Sequence, residues 1–268
     1  MTNPLFNIKV GGAHVIGEHA GQGSALVFLH AGVADRRMWR EQIAELKDDF
    51  HVIAYDRRGF GETSTPDESF SHVNDLKEIL DQLGVSSAAL IGCSQGGRIA
   101  IDFTLAYPQR VTSLVLIAPA ISGAPSPGKF SPDIEALLDT LDKAEESEDM
   151  ERVNAIEANL WLDGPTSPNG RVSGAARELF LDMNAIALNS PDLTKELETP
   201  SAYERLGELS LPTLVINGDL DFPFIKERCH YLVETIPNAK GMEIAGTAHL
   251  PNLEKPEAVN ELLMKFLK

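Results

Sequence analysis

The chain has 268 residues, of which 43% are hydrophobic, so it is long enough for one α/β domain with a large core. Its net charge of −17 excludes nucleic acid and anionic membrane surfaces as expected partners, because both favour basic proteins. Two cysteines give no disulfide framework or metal site, and the N-terminus has no signal-peptide pattern or apolar span, so we expect a cytoplasmic protein.

The first 120 residues alternate predicted strands and helices. Gly11 and Gly12 form a hairpin turn between strands at 5–10 and 13–18. Further strands are predicted at 25–29, 51–55, 87–91 and 111–117, and helices at 39–46, 71–83 and 95–107. This alternation is typical of a mainly parallel sheet that helices cover on both faces.

The pattern changes after Pro119. No strand is predicted between 121 and 207, and this stretch carries helical patterns at 133–141, 149–160 and 174–188. The alternation then resumes with strands at 213–217 and 241–245 and helices at 223–234 and 256–267. We therefore expect a core domain made of residues 1–120 and 208–268. Residues 121–207 would form a helical cap over the edge where such sheets bind ligands.

The stretch Gly92-Cys93-Ser94-Gln95-Gly96 lies between a predicted strand and a predicted helix. A Gly-x-Ser-x-Gly turn at such a junction holds the serine in a strained bend, which small neighbours allow to close. The bend exposes the serine hydroxyl and aims the first amides of the helix at whatever it attacks. The pattern alone is weak, but this context predicts that Ser94 is a nucleophile.

A serine nucleophile needs a base, and the base needs a carboxylate. His249 is the best candidate of the seven histidines, because it follows the last predicted strand and so reaches the same sheet edge as Ser94. The other histidines in predicted strands or helices are expected to be structural or surface residues: His14, His19, His51, His72 and His230. Asp219 and Asp221 both follow the strand at 213–217, and the residues alone do not choose between them.

Acyl transfer also requires two backbone amides that bind the developing oxyanion. The amide of Gln95, directly after the serine, would supply one. The second would come from the loop that follows the strand at 25–29, which reads His30-Ala31-Gly32-Val33. Gly32 is the predicted donor, because its lack of a side chain lets the backbone approach a substrate.

With these parts in order, nearly the whole chain resembles the α/β-hydrolase-fold superfamily of esterases, lactonases and related hydrolases. The stretch from Asp56 to Ser64 matches that family's Asp-x-Arg-Gly-x-Gly-x-Ser loop, with threonine and serine at its end. Gly218-x-x-Asp221 matches the family's acid motif, which favours Asp221 over Asp219. Ala31 departs from the usual glycine, and Cys93 fills a position that is often histidine. Neither change removes a predicted catalytic group.

The resemblance implies an eight-stranded sheet and a serine hydrolase that cleaves a small carboxylic ester or lactone through an acyl-enzyme, with no metal or organic cofactor. A serine nucleophile argues against the related branches that use aspartate, the dehalogenases and epoxide hydrolases. Carbon–carbon bond hydrolysis, a cofactor-free haloperoxidase or perhydrolase activity, and a slow-turnover ligand receptor stay open as alternatives. So does the choice between a monomer and a homodimer. The cap residues expected to line the substrate pocket, or else to fill the cap's own core, are Trp161, Phe180, Met183 and Leu188.

Overall fold

One eight-stranded sheet runs through the computed structural model, which describes residues 3–191 and 193–268. The strands are β1 (Leu5–Val10), β2 (Ala13–Ala20), β3 (Ala25–Leu29), β4 (His51–Tyr55), β5 (Ala88–Cys93), β6 (Val111–Ile117), β7 (Thr213–Gly218) and β8 (Ala239–Ile244). Their spatial order is β1-β2-β4-β3-β5-β6-β7-β8. The first two strands are antiparallel to their neighbours, and β3 to β8 are parallel. The α/β fold class predicted from the sequence is therefore confirmed.

Helices cover both faces of the sheet. They are α1 (Arg40–Leu46), α2 (His72–Gln82), α3 (Gln95–Ala106), α4 (Pro132–Glu146), α5 (Met150–Glu157), α6 (Ala175–Leu188), α7 (Pro223–Thr235), α8 (Pro251–Glu254) and α9 (Pro256–Leu267). Strand β5 shows why helices are needed on both faces of the sheet. Its Leu90 packs in one core with α2, α3 and α7, and the next residue, Ile91, packs in the other with α1 and α9. Alternate side chains of a strand point to opposite faces, so both faces must be buried.

The parallel strands bring the ends of β3, β4, β5, β7 and β8 to one edge of the sheet. The loops after those strands carry Gly32, Arg57, Ser94, Asp221 and His249. This shared edge is where an open α/β sheet places its ligand site. The topology therefore brings together residues that are more than 200 positions apart along the chain.

The segment between β6 and β7 contains α4, α5 and α6, together with a π-helical turn over Ala158–Asp163. It contacts the rest of the protein at the same sheet edge. The N–H of Leu197 donates to the carbonyl of Phe70 at 2.7 Å, and the N–H of His249 donates to the carbonyl of Trp161 at 3.2 Å. The sequence predicted no strand here. Among the described residues of this segment, the structure adds only an isolated β-bridge between Phe70 and Glu196, which lies outside the eight strands.

The sequence did not predict several short helices. Helix α8 and the short 3₁₀ helices at Pro108–Arg110 and Tyr203–Glu208 lie in stretches without a clear apolar period. Across residues 3–191 and 193–268, no helix combines the length and the hydropathy needed to span a membrane.

Candidate active site

Ser94 occupies the sharp turn between β5 and α3. Its backbone angles are φ 51° and ψ −116°, a region that residues with side chains rarely adopt. Glycines let the turn close: a methyl group on Gly92 would overlap the carbonyl of Gly96, and one on Gly96 would overlap the carbonyl oxygen of Leu29. The N–H of Ser94 donates to the carbonyl of Ile117 at 2.9 Å. The turn thus presents the half-buried Ser94 at the carboxyl edge of the sheet.

His249 and Asp221 form a buried pair at this edge. Nδ1 of His249 lies 2.8 Å from Oδ2 of Asp221, and the two side chains are 3% and 0% exposed. The other carboxylate oxygen of Asp221 accepts the N–H of Phe222 at 2.7 Å, which fixes the carboxylate in place. When Nδ1–H donates to Asp221, Nε2 of His249 keeps the lone pair that a general base needs.

The loop of His249 lies against the serine turn. Sγ of Cys93, the residue before Ser94, is 3.8 Å from the carbonyl oxygen of His249. Within the part of the chain that the structure describes, the Ser94 hydroxyl has no protein hydrogen-bond partner. Catalytic hydrogen bonds are often long in enzymes without substrate. Burial raises the pKa of the Cys93 thiol, which keeps Cys93 protonated and unreactive beside the serine.

Asp219, the other candidate acid, has a different partner. Its Oδ1 accepts the N–H of Gly246 at 2.6 Å, and its carbonyl oxygen accepts Nζ of Lys226 at 3.0 Å. It therefore ties the loop after β7 to the loop that carries His249, while Asp221 contacts the imidazole itself.

The backbone N–H groups of Gly32 and Gln95 have no hydrogen-bond acceptor among the described residues. Gln95 is the first residue of α3, where N–H groups have no partner within the helix. The Gln95 side chain packs directly on Gly32, because a methyl group there would lie 2.6 Å from Nε2 of Gln95. The two predicted donors thus belong to adjoining segments.

His30 fixes the loop that leads to Gly32. Its Nδ1 lies 2.7 Å from the carbonyl oxygen of Ala31, and its Nε2 accepts the N–H of Arg57 at 3.0 Å. Burial, together with the Arg57 cation, holds the pKa of His30 well below its ordinary value. The imidazole is therefore neutral, and both of its nitrogens are used for structure.

Two groups that the sequence did not single out brace the His249 loop. Oε1 of Glu254 accepts the N–H of Ala248 at 2.7 Å, and Oε2 lies 2.5 Å from Nη2 of Arg171. Arg171 also donates to the carbonyl oxygens of Leu162, Asp163 and Gly246. Burial raises the pKa of Glu254 to about 7, even though these donors favour its ionised form. No local motif marks such residues, because their partners are distant in sequence.

Aromatic rings line one side of His249. The ring centroid of Trp161 is 4.9 Å from that of His249 and 4.9 Å from that of Phe222. Phe222 in turn contacts Phe130 and Phe224. Of the expected pocket residues, Trp161 thus directly contacts the candidate base.

The remaining expected pocket residues lie elsewhere. Phe180 is fully buried and Met183 is 1% exposed, and both pack in the core that contains Trp39 and Leu250. Their side chains are buried in that core, which is the second of the two placements the sequence left open, and a role of either residue in a pocket stays a prediction. Leu188 is half-buried at the end of α6.

His72 is nearer to this edge than the sequence predicted. It begins α2, is buried, and has Nε2 3.9 Å from Oε2 of Glu196, which also pairs with Arg98 of α3 at 2.8 Å. The first turn of α2 follows the loop after β4 and therefore lies at the carboxyl edge of the sheet. Burial and three nearby arginines hold the pKa of His72 well below its ordinary value, so it is a neutral packing residue.

Comparison with known proteins gives one consistent fold. A family model described as the α/β hydrolase fold matches residues 24–256. Carboxylesterase YbfK of Bacillus subtilis (strain 168) is 26% identical, over 97% of this chain and 85% of its own. Epoxide hydrolase 1 of Siraitia grosvenorii is 31% identical, over 93% of each chain. The crystal structure of the enol-lactonase from Burkholderia xenovorans LB400 superposes with a TM-score of 0.78 at 21% identity, covering 98% of this chain and 99% of that one.

Proposed function

The chain belongs to the α/β-hydrolase-fold family, and on that premise we propose that it is a serine hydrolase that cleaves a small carboxylic ester or lactone. One observation carries the proposal. The buried Asp221–His249 pair, 2.8 Å apart, lies at the sheet edge where Ser94 stands on a strained turn. Relatives named as carboxylesterases and a structural neighbour named as an enol-lactonase support the substrate class.

In the proposed reaction, Nε2 of His249 takes the proton of Ser94 as Oγ bonds to the substrate carbonyl carbon. The carbonyl π electrons move to oxygen, and the N–H groups of Gly32 and Gln95 stabilise that oxyanion. Collapse of the intermediate breaks the ester C–O bond, and the leaving alkoxide takes the proton from His249. Water then attacks the acyl carbonyl carbon as His249 takes one of its protons. Collapse of this second intermediate breaks the bond from carbon to Oγ, His249 returns the proton to Ser94, and the acid is released. Asp221 orients the imidazole and stabilises its charged form.

We assign residues 121–207 to a cap on a core made of residues 1–120 and 208–268. The support is the position of Trp161, whose ring lies beside His249 and whose carbonyl accepts the N–H of His249. Such a segment would shape the acyl or alcohol pocket. Epoxide hydrolysis is not proposed, because the turn carries serine and the resemblance associates that branch with aspartate.

A fluorophosphonate probe and a substrate panel test the function. The purified protein should gain one phosphonyl group on Ser94 by intact mass and peptide mapping, and Ser94→Ala should gain none. The panel contains aryl esters, lactones and vinylogous diketones, with halide and peroxide as a further arm. Fastest turnover of esters or lactones supports the proposal. Preference for diketones or for the peroxide arm overturns it, as does a single stoichiometric burst without turnover.

A further inference from the structure

Arg57 is a buried cation that forms no ion pair with a carboxylate among the described residues. It follows β4, is 2% exposed, and has no carboxylate within 4.0 Å among the described residues. The next residue, Arg58, is equally buried but pairs with Asp75 and Glu68, each at 2.7 Å. Since the chain has 40 acidic residues, the missing acid at Arg57 is unusual and points to another use of its charge.

The guanidinium of Arg57 contacts both segments that carry the proposed oxyanion donors. On one side, Nη2 donates to the carbonyl oxygens of His30 at 3.2 Å and Ala31 at 3.1 Å, directly before Gly32. On the other side, Nη1 donates to Oε1 of Gln95 at 3.3 Å. Because the Gln95 side chain also packs on Gly32, these contacts connect the two segments.

No carboxylate forms an ion pair with Arg57 among the described residues, and the more distant Glu196 raises the pKa of Arg57 by less than burial lowers it. Desolvation lowers the pKa of Arg57 to about 10, so the group is still charged at neutral pH. Its Nε is buried without a hydrogen-bond partner, and its guanidinium carbon lies 4.5 Å from the centroid of the Phe60 ring. Charges are weakly screened at a site that excludes water, so a buried cation acts strongly on any negative charge that forms nearby. The proposed reaction forms such a charge at Gly32 and Gln95.

We propose that Arg57 is a positioning residue of the oxyanion hole: it holds the Gly32 and Gln95 segments in register, and its positive charge stabilises the oxyanion through them. This inference rests on the proposed serine-hydrolase function. The competing account is that Arg57 only braces the fold, as Arg110 does far from the site by donating to the carbonyl oxygens of Ser86 and Val85 and by pairing with Asp81. Arg110→Met is therefore the matched control for Arg57→Met.

The test compares a ground-state and a transition-state readout. A trifluoromethyl ketone forms a tetrahedral adduct with an active serine, and its oxyanion occupies the oxyanion hole. Arg57→Met should lower kcat about 10- to 100-fold, less than the loss of a direct donor. It should raise the inhibition constant of the ketone by the same factor and leave KM within about threefold. Arg57→Lys, which keeps the charge, should recover part of both losses. Arg110→Met should change neither.

The test separates failure of the inference about Arg57 from failure of the proposed serine-hydrolase function. If the wild type reacts with neither the fluorophosphonate nor the ketone, the serine-hydrolase proposal fails and this inference fails with it. If the wild type reacts but Arg57→Met keeps its kcat and ketone affinity, the inference alone is overturned. It is also overturned if the apparent kcat falls only in proportion to a fall in active folded protein, measured by active-site titration, while the inhibition constant of the ketone is unchanged. If Arg57→Met does not fold, Arg57→Lys and Arg57→Gln carry the same comparison.

Discussion

Asp219 accepts the N–H of Gly246 at 2.6 Å, two residues before Asp221 reaches His249. In the loop after β7, Asp219 thus holds the backbone of the histidine loop, and Asp221 contacts the imidazole. The identical side chains provide a matched pair for mutation.

We expect Asp221→Asn to lower kcat about 10³- to 10⁴-fold, because an amide at this position favours the wrong histidine tautomer. Asp219→Asn should cost much less, because its amide oxygen can still accept the N–H of Gly246. Steady-state kinetics on one aryl ester, with far-UV circular dichroism as the folding control, provides the measurement. A larger loss for Asp219→Asn would show that the acid has been assigned to the wrong aspartate.

The choice between Asp219 and Asp221 shows which parts of the site can be predicted from the sequence. The strand-turn-helix pattern around Ser94 and the small-residue loop of His249 are local, so a sequence can show them. The choice of Asp221 depended on a motif of the family, and the geometry gives its physical reason. Arg57, Arg171 and Glu254 were not singled out, because their partners come from other strands and loops.

The sequence left two placements open for Phe180 and Met183 for a related reason. Apolar residues on one helix predict that the helix has a buried face, but they do not say what covers that face. The structure packs both side chains in the core cluster that includes Trp39. Periodicity therefore predicted burial correctly and could not separate a pocket wall from a core.

Gly96→Ala should destabilise the protein by more than about 3 kcal/mol, because the added methyl group would overlap the carbonyl oxygen of Leu29 and no side chain can move to relieve the clash. Gly128→Ala is the control, since a methyl group there has no atom within 4 Å. It should change the free energy of unfolding by less than about 0.5 kcal/mol. Urea denaturation gives both values. Equal stability of the two variants would mean that the turn after Ser94 is not closed as described.

Glu254 should make stability depend on pH. Burial raises the pKa of Glu254 to about 7 in the folded protein, against roughly 4.3 in an unfolded chain. Between these values the folded protein holds one proton more than the unfolded protein, so the free energy of unfolding that this group contributes falls as pH rises. Glu254→Gln removes this dependence.

The stability advantage of the wild type over Glu254→Gln should therefore shrink from pH 5 to pH 8 by about 1–3 kcal/mol. Urea denaturation of both proteins at each pH measures the difference. Burial also raises the pKa of Asp56, to about 6, but that contribution is common to both proteins and cancels. A difference that stays constant with pH, or grows, would contradict the burial of Glu254 as an acid with a raised pKa.

Trp161 should control which substrates the enzyme prefers. Its ring lies 4.9 Å from the ring of His249, so an acyl or alcohol group bound beside the imidazole would touch it. Trp161→Ala should change the ranking of short and long acyl esters, because apolar contacts of this kind contribute about 1–3 kcal/mol each. Phosphonylation of Ser94 by a small probe should proceed as in the wild type, because that reaction does not use the pocket.

Phe180→Ala is the matched comparison, since it removes another cap aromatic that the structure places in the core. It should lower the free energy of unfolding by about 3–5 kcal/mol and reduce the rates for all esters alike. Relative rates across an acyl series, measured with thermal unfolding, separate the two effects. If Trp161→Ala leaves the ranking unchanged and Phe180→Ala shifts it, the wall of the site lies on α6. The side chain of Phe180 would then have to leave its buried position when substrate binds.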